Sequence, residues 1–170
     1  MSNRNYILSK EIANKKLQRM AMQVAEENYS EQEIVIIGIK DNGLTIAKKI
    51  AALLNDTFKG NIQLLELNLN KRNPGIISIE PLIDFDNRNV LLVDDVANSG
   101  KTMLYAMKPL LEKHPARIQT MALVERTHKL YPVDVDYVGI STATTMEEHI
   151  FVEVENEEVV GAYLIKEIDN

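Results

Sequence analysis

The sequence predicts an α/β protein built as one open parallel sheet with helices on both faces. Two observations carry that prediction. Ile34 to Ile39 is a continuous, largely β-branched run, too short for a helix and too apolar for a strand with one wet face, and Gly43 then leads into a helical pattern from Leu44 to Leu54. The same strand-then-helix order recurs from Val90 to Val93 with Thr102 to Lys113, and a further strand pattern follows Pro115. Repeated alternation of this kind is the signature of parallel strands joined by crossover helices.

Taken in order, the first element is an amphipathic helix from Ser9 to Asn28. Ile12, Leu17, Met20, Ala21, Val24 and Ala25 recur mostly three or four apart, and Ser9 is placed to cap it. After the first strand and helix, Gln63 to Leu69 and Ile76 to Ile79 read as a strand pair. Asn70 to Gly75 joins them with turn formers, which predicts a flexible hairpin. Ile118 to Val124 reads as another buried strand and Val135 to Val138 as a short one. The tail from Ile150 to Ile168 alternates β-like runs with acidic residues, which predicts strands added at an edge. No internal repeat, low-complexity tract or linker divides residues 1–170, so a single domain is expected.

Composition narrows the function. With 45% hydrophobic residues in 170, the chain can bury a core. No apolar run approaches the roughly 18 residues of a membrane span, and Met1 to Tyr6 lacks the plan of a signal peptide. A soluble, unprocessed protein is expected. The absence of cysteine excludes thiolate chemistry and fits a cytoplasmic setting. A net charge of −6 opposes a broadly basic nucleic-acid surface. His114, His128 and His149 show no metal-ligand spacing.

The chemistry concentrates between Val90 and Thr102. A buried strand ends in Asp94 and Asp95, followed by Val96, the small-residue segment Ala97, Asn98, Ser99 and Gly100, and then Lys101 and Thr102 at the start of a helix. Two carboxylates at the carboxyl edge of an open sheet can accept hydrogen bonds from vicinal sugar hydroxyls. The glycine and small side chains let backbone N–H groups approach an anion, and the following helix aims its positive end at the same point. This combination describes a pocket for a phosphorylated sugar. Asp–Asp at a strand end or Ser–Gly at a turn would each be unremarkable alone. A Walker-type loop is disfavoured because the position five before Gly100 is Asp95 rather than glycine.

In that order these thirteen residues resemble the phosphoribosyl pyrophosphate signature of type I phosphoribosyltransferases. Over nearly the whole chain the likeness is to the family of bifunctional pyrimidine-operon attenuators and uracil phosphoribosyltransferases. The resemblance implies the type I phosphoribosyltransferase fold with a small hood, cytoplasmic pyrimidine salvage, Mg²⁺ as cofactor and a homo-oligomer. It also implies transfer of phosphoribose from phosphoribosyl pyrophosphate to a nucleobase, with uracil favoured. Asp94 and Asp95 would hold the ribose and the metal shell, directly or through water, and residues 94–102 the donor. Lys40, Asp41, Asn42 and Gly43 occupy the pyrophosphate loop. Lys71 and Arg72 on the hairpin could close over the diphosphate and aid catalysis by excluding water. Asn98, Arg126, Val138 and Ile140 fall at base-recognition positions, Ile140 as the cover over the base.

Four departures limit the resemblance. Asn98 stands where hypoxanthine-type relatives have an Asp, and an amide cannot take a proton from a purine. A purine enzyme of that type is therefore the lesser alternative. Lys40, Asp41 and Asn42 replace a basic residue, a Thr and an Arg, and Asp41 would repel a diphosphate. Of the messenger-RNA-binding residues on the first helix only Arg19 remains, with Gln18 and Met22 in the other places. Thr142 to Glu148 replaces a more basic pattern. A nucleotide-responsive RNA-binding regulator is the other alternative, weakened by these losses of basic residues.

Overall fold

The computed structural model describes residues 4–145 and 147–166. The chain runs β1 (Asn5–Ser9), α1 (Lys10–Glu27), β2 (Glu33–Ile39), α2 (Asn42–Leu54), β3 (Asn61–Leu69), β4 (Ile77–Glu80) and β5 (Asn89–Ala97). It continues through α3 (Lys101–Leu111), β6 (Arg117–Arg126), β7 (Tyr137–Thr142), β8 (Glu148–Glu155) and β9 (Glu158–Lys166).

Strand β2 is buried from Ile34 to Ile39, as a strand covered on both faces must be. It sits inside a six-stranded sheet of order β4-β3-β2-β5-β6-β7. The pairs β2–β3, β2–β5, β5–β6 and β6–β7 are parallel, and only β4 runs antiparallel, against β3. Alternating side chains send Ile34, Ile36, Leu91 and Val93 toward α1 and α2, and Val35, Ile37, Val90 and Leu92 toward Met103, Ala106 and Leu110 of α3. Helices therefore cover both faces, as the alternation of patterns predicts.

Helix α1 begins as expected, with the Ser9 hydroxyl accepting from the Ile12 N–H at 3.3 Å. Its buried stripe is Ala13, Leu17, Met20, Ala21 and Val24. Ile12, expected on that face, is 42% exposed because one residue's rotation of about 100° carries it off the stripe that Ala13 occupies. The strand expected at Val135 to Val138 instead spans Tyr137–Thr142. Asp136 lies outside it, its carboxylate accepting from the Thr120 N–H and hydroxyl of β6.

The tail does not extend the main sheet. β8 and β9 pair with each other, and β9 pairs with β1 in a separate antiparallel sheet of order β1-β9-β8. This sheet is the hood. Its inner residues Leu8, Ile150, Val152, Val159, Ala162 and Leu164 join the core on the α1 and α2 side. β1 has no period-two pattern long enough to read in isolation, and the pairing partner that makes it a strand lies at the other end of the chain. Residues 167–170, where the tail expectation ended at Ile168, lie outside the described residues, as does Met146 within the Thr142 to Glu148 segment. No helix among the described residues is long and apolar enough to cross a membrane.

Candidate active site

β5 carries the chemistry to the carboxyl edge of the sheet. Val90 to Val93 are fully buried, and the next two residues keep Asp94 at 2% and Asp95 at 9% exposure. Backbone donors steady both carboxylates: the Asp95 N–H reaches Asp94 Oδ1 and the Val96 N–H reaches Asp95 Oδ1, each at 2.9 Å. The cation that faces them comes from the β3–β4 connection. Lys71 Nζ lies 3.1 Å from Asp94 Oδ1 and 3.6 Å from Asp95 Oδ1. Burial, and then the adjacent Asp95 charge, push the Asp94 carboxyl up to about 8 against the opposing pull of Lys71. Burial acts to lower Lys71, but the two carboxylates outweigh it and hold the ammonium above its ordinary value.

The helix α2 terminus completes this side. Asn42 donates through Nδ2 to Asp95 Oδ2 at 3.0 Å and to the Val152 carbonyl at 2.9 Å, tying the core to hood strand β8. Gly43 is required by the close approach of β5. A Cβ there would meet the Val93 carbonyl oxygen at 2.9 Å and Asp94 Oδ1 at 3.1 Å.

On the other side, α3 starts at Gly100, whose φ of 81° is in the left-handed region that glycine adopts without strain. Ser99 Oγ takes the Lys101 N–H at 3.2 Å, while the Gly100, Thr102 and Met103 N–H groups find no acceptor among the described residues. Those free donors and the helix dipole make an anion-binding end.

These parts surround an open cleft of about 370 Å³, lined by Asn42, Lys71, Asp94 to Gly100, Thr102 and Met103, and by Ile150, Phe151 and Val152 of the hood. The hood residues were missed in the sequence, where their alternation reads only as a strand. The other expected site residues take different places. Lys40 and Asp41 are exposed and do not line the cleft. Asp41, with φ of 71°, turns the chain into α2, its carbonyl accepting from the Thr45 N–H. Arg72 is exposed beside an Asn70-centred turn, and its carbonyl accepts from Lys101 Nζ at 3.4 Å.

Arg126 leaves the end of β6, and among the described residues it forms no ion pair with a neighbouring Glu. Its Nη1 donates to Asn98 Oδ1 at 3.2 Å and its Nη2 to the Thr145 carbonyl at 2.6 Å. Val138 and Ile140 lie on β7 and pack against the core clusters. The Val138 and Gly139 carbonyls accept from Arg19 Nη2 at 2.7 and 3.2 Å, and through these bonds the residue singled out for RNA contact braces the edge strand. No group of three or more His, Cys, Asp or Glu suited to a metal ion occurs among the described residues.

Comparison with known proteins agrees with this arrangement. The sequence profile of the family described as phosphoribosyl transferase domain matches residues 4–157. The protein named Bifunctional protein PyrR from Clostridium novyi is 31% identical over 177 residues, covering 96% of this chain and 99% of its own length. Its namesake from Pediococcus pentosaceus is 34% identical over 163 residues, covering 85% and 90%. Among solved structures, the hypoxanthine phosphoribosyltransferase of Trypanosoma cruzi superposes with a TM-score of 0.77 at 16% identity, covering 96% of this chain and 97% of that one. A hypoxanthine-guanine phosphoribosyltransferase from Bacillus anthracis gives 0.72 at 16% identity, with 99% of both chains covered. At such identities the structural likeness speaks for the fold. With the family profile spanning nearly all of the chain and PyrR relatives matching end to end, this chain belongs to the type I phosphoribosyltransferases, a family of pentose-transferring glycosyltransferases.

Proposed function

We propose that the cleft binds phosphoribosyl pyrophosphate with Mg²⁺ and transfers its phosphoribosyl group to a nucleobase, uracil being favoured, in the cytoplasm. The observation that carries this reading is the placement of two buried carboxylates directly before a glycine-led helix terminus with free N–H groups. Asp94 and Asp95 accept the ribose hydroxyls, and residues 98–102 hold the 5′-phosphate at the α3 terminus. Lys71, which lines the cleft beside the carboxylates, would meet the departing diphosphate, and Arg72, Lys40 and Gly43 would reach it only if their loops move toward the bound donor.

The residues present fit a hard cation. The donors are carboxylate oxygens, and the Lys71 ammonium already supplies positive charge at both of them. Asp94 and Asp95 alone are too few for a protein-only site, which suits Mg²⁺, an ion that keeps waters and binds through substrate phosphates. When bound, it would neutralise charge on the departing diphosphate. In the transfer, a base nitrogen bonds to the anomeric carbon as the carbon–oxygen bond to diphosphate breaks, releasing diphosphate and the nitrogen's proton. The chain acts chiefly by positioning and by fixed donors aimed at developing charge.

Incubation with labelled donor, Mg²⁺ and a panel of bases tests the proposal. Uridine monophosphate is the expected product, and no nucleotide from any base would remove the reading. The regulatory alternative is favoured by kinship with proteins named bifunctional. It has little to draw on here, because the net charge is −6 and Arg19 is engaged with β7.

A further inference from the structure

The connection from β6 to β7 folds back over the start of α3. The sheet and the core fix its two ends: the Thr127 N–H donates to the Thr142 carbonyl at 3.1 Å, and Val133 and Val135 are buried. Between them, the Leu130 and Tyr131 N–H groups both donate to the Ser99 carbonyl, each at 3.0 Å, which engages both lone pairs of that oxygen. The Ser99–Gly100 peptide is trans, so its N–H points opposite to its C=O. Holding the carbonyl against Leu130 and Tyr131 therefore turns the Gly100 N–H, which has no acceptor among the described residues, toward the cleft that Ser99 and Gly100 line.

Apolar packing does not hold this turn, since Leu130 is 81% exposed. An ion pair does. Lys129 Nζ lies 3.0 Å from Glu125 Oε2, and the two side chains are only 12% and 14% exposed, so solvent and salt screen the pair little. The other carboxylate oxygen, Glu125 Oε1, accepts from Ser141 Oγ at 3.2 Å, which ties it to β7. The Lys129 stem runs along Gly100, where a Cβ would stand 3.6 Å from Lys129 Cδ and 3.2 Å from the Tyr131 carbonyl oxygen. Neither Lys129 nor Glu125 lines the cleft.

We infer that Glu125 and Lys129 are positioning residues for the phosphate loop: their ion pair seats the Leu130–Tyr131 turn on the Ser99 carbonyl and so aims the Gly100 N–H at the 5′-phosphate of the donor. This rests on the proposed transfer reaction and names two residues that serve its sugar-phosphate end without touching the ligand. Without the pair, the turn loses its hold between the fixed ends, and the Ser99–Gly100 peptide is free to rotate. A rotated peptide presents a carbonyl oxygen to the anion in place of an N–H, exchanging attraction for repulsion.

Calorimetric titration with ribose 5-phosphate and, separately, with inorganic diphosphate plus Mg²⁺ reads the two ends of the cleft without turnover. Glu125→Ala removes a negative charge, so charge alone would strengthen binding of either anion. Lost positioning predicts the reverse at one end only: ribose 5-phosphate weaker by about ten-fold, the effect of one hydrogen bond to a charged acceptor, and diphosphate changed by less than about two-fold. Lys129→Met should weaken ribose 5-phosphate similarly, and Lys129→Arg, which can keep the pair, should recover most of the loss. In amide NMR spectra, the Gly100 signal should shift when ribose 5-phosphate is added to the unaltered protein and to Lys129→Arg, and far less with Glu125→Ala. Ribose 5-phosphate affinity that is unchanged or stronger in Glu125→Ala overturns the inference, as does an equal loss for both anions or no binding of ribose 5-phosphate by the unaltered protein. Should Glu125→Ala not fold, the two Lys129 variants decide in the same way. If ribose 5-phosphate responds as expected and no base is turned over, the transfer reaction fails while the positioning role stands. If nucleotide forms but ribose 5-phosphate binding does not respond, only the positioning role fails.

Discussion

Lys71 Nζ stands 3.1 Å from Asp94 Oδ1 and 3.6 Å from Asp95 Oδ1, bridging a turn between two strands to the carboxylates at the end of a third. A side chain of the hairpin thus stands at the two carboxylates on the edge of the cleft. Lys71→Met keeps the stem and removes the charge, leaving the buried Asp94 and Asp95 carboxyl groups, which share a proton near neutral pH, without their nearest cation. The Lys71 side chain is 42% exposed, which limits the pair's worth, so a loss of about 1 kcal/mol is expected in urea unfolding near neutral pH.

The Asp94 carboxyl gives stability a pH dependence whose sign can be worked out. Its folded value is about 8 against an ordinary 3.8, so between these the folded protein holds a proton that the unfolded chain has released. The unfolded state binds fewer protons, and the contribution of Asp94 to stability falls as pH rises through that window. Asp94→Asn should flatten this component. Chemical denaturation of both proteins across the window measures it, and parallel curves would contradict the assignment.

Gly43→Ala should damage the site more than the fold. The new Cβ would lie 2.9 Å from the Val93 carbonyl oxygen and 3.1 Å from Asp94 Oδ1, both in the packed end of β5. Overpacking of this sort costs about 1–3 kcal/mol. The displaced Asp94 should weaken calorimetric binding of phosphoribosyl pyrophosphate with Mg²⁺ by more than ten-fold, since carboxylate placement is what the cleft supplies.

Away from the cleft, Tyr137→Phe should unsettle a buried polar network. The Tyr137 hydroxyl donates to Glu27 Oε2 at 2.9 Å and accepts from Gln119 Nε2, and Gln119 is 1% exposed. Burial, with Glu27 next, raises the tyrosine's ionisation above its ordinary value, so the hydroxyl stays a donor throughout the working range. Removing it takes one of two acceptors from the buried Gln119 amide, which keeps Glu27 Oε2 at 3.3 Å, at a cost of about 1 kcal/mol. Thermal unfolding should show it, with donor binding unaltered.

Arg19→Ala separates bracing from RNA recognition. Arg19 donates to the Val138 and Gly139 carbonyls on edge strand β7, and its loss should cost about 1 kcal/mol of stability. A salt-sensitive fall in RNA affinity with stability unchanged would instead support the regulatory reading.

The sequence by itself determined the main sheet and the donor loop, because both are local. The β-branched run of β2 and the apolar run leading to Asp94 and Asp95 declare buried parallel strands, and the helix after Gly100 follows from neighbouring residues. The tertiary structure decided the rest. β1 becomes a strand only by pairing with β9, and Asn42 finds Asp95 and Val152 only when the hood closes over β5. The contact of Lys71 with the two carboxylates, and the orientation Asn98 takes from Arg126 on another strand, are tertiary. Periodicity records which face of an element is buried. It carries no information on which distant polar group will meet a given side chain, because hydrogen-bond partners are set by the three-dimensional register of elements far apart in the chain.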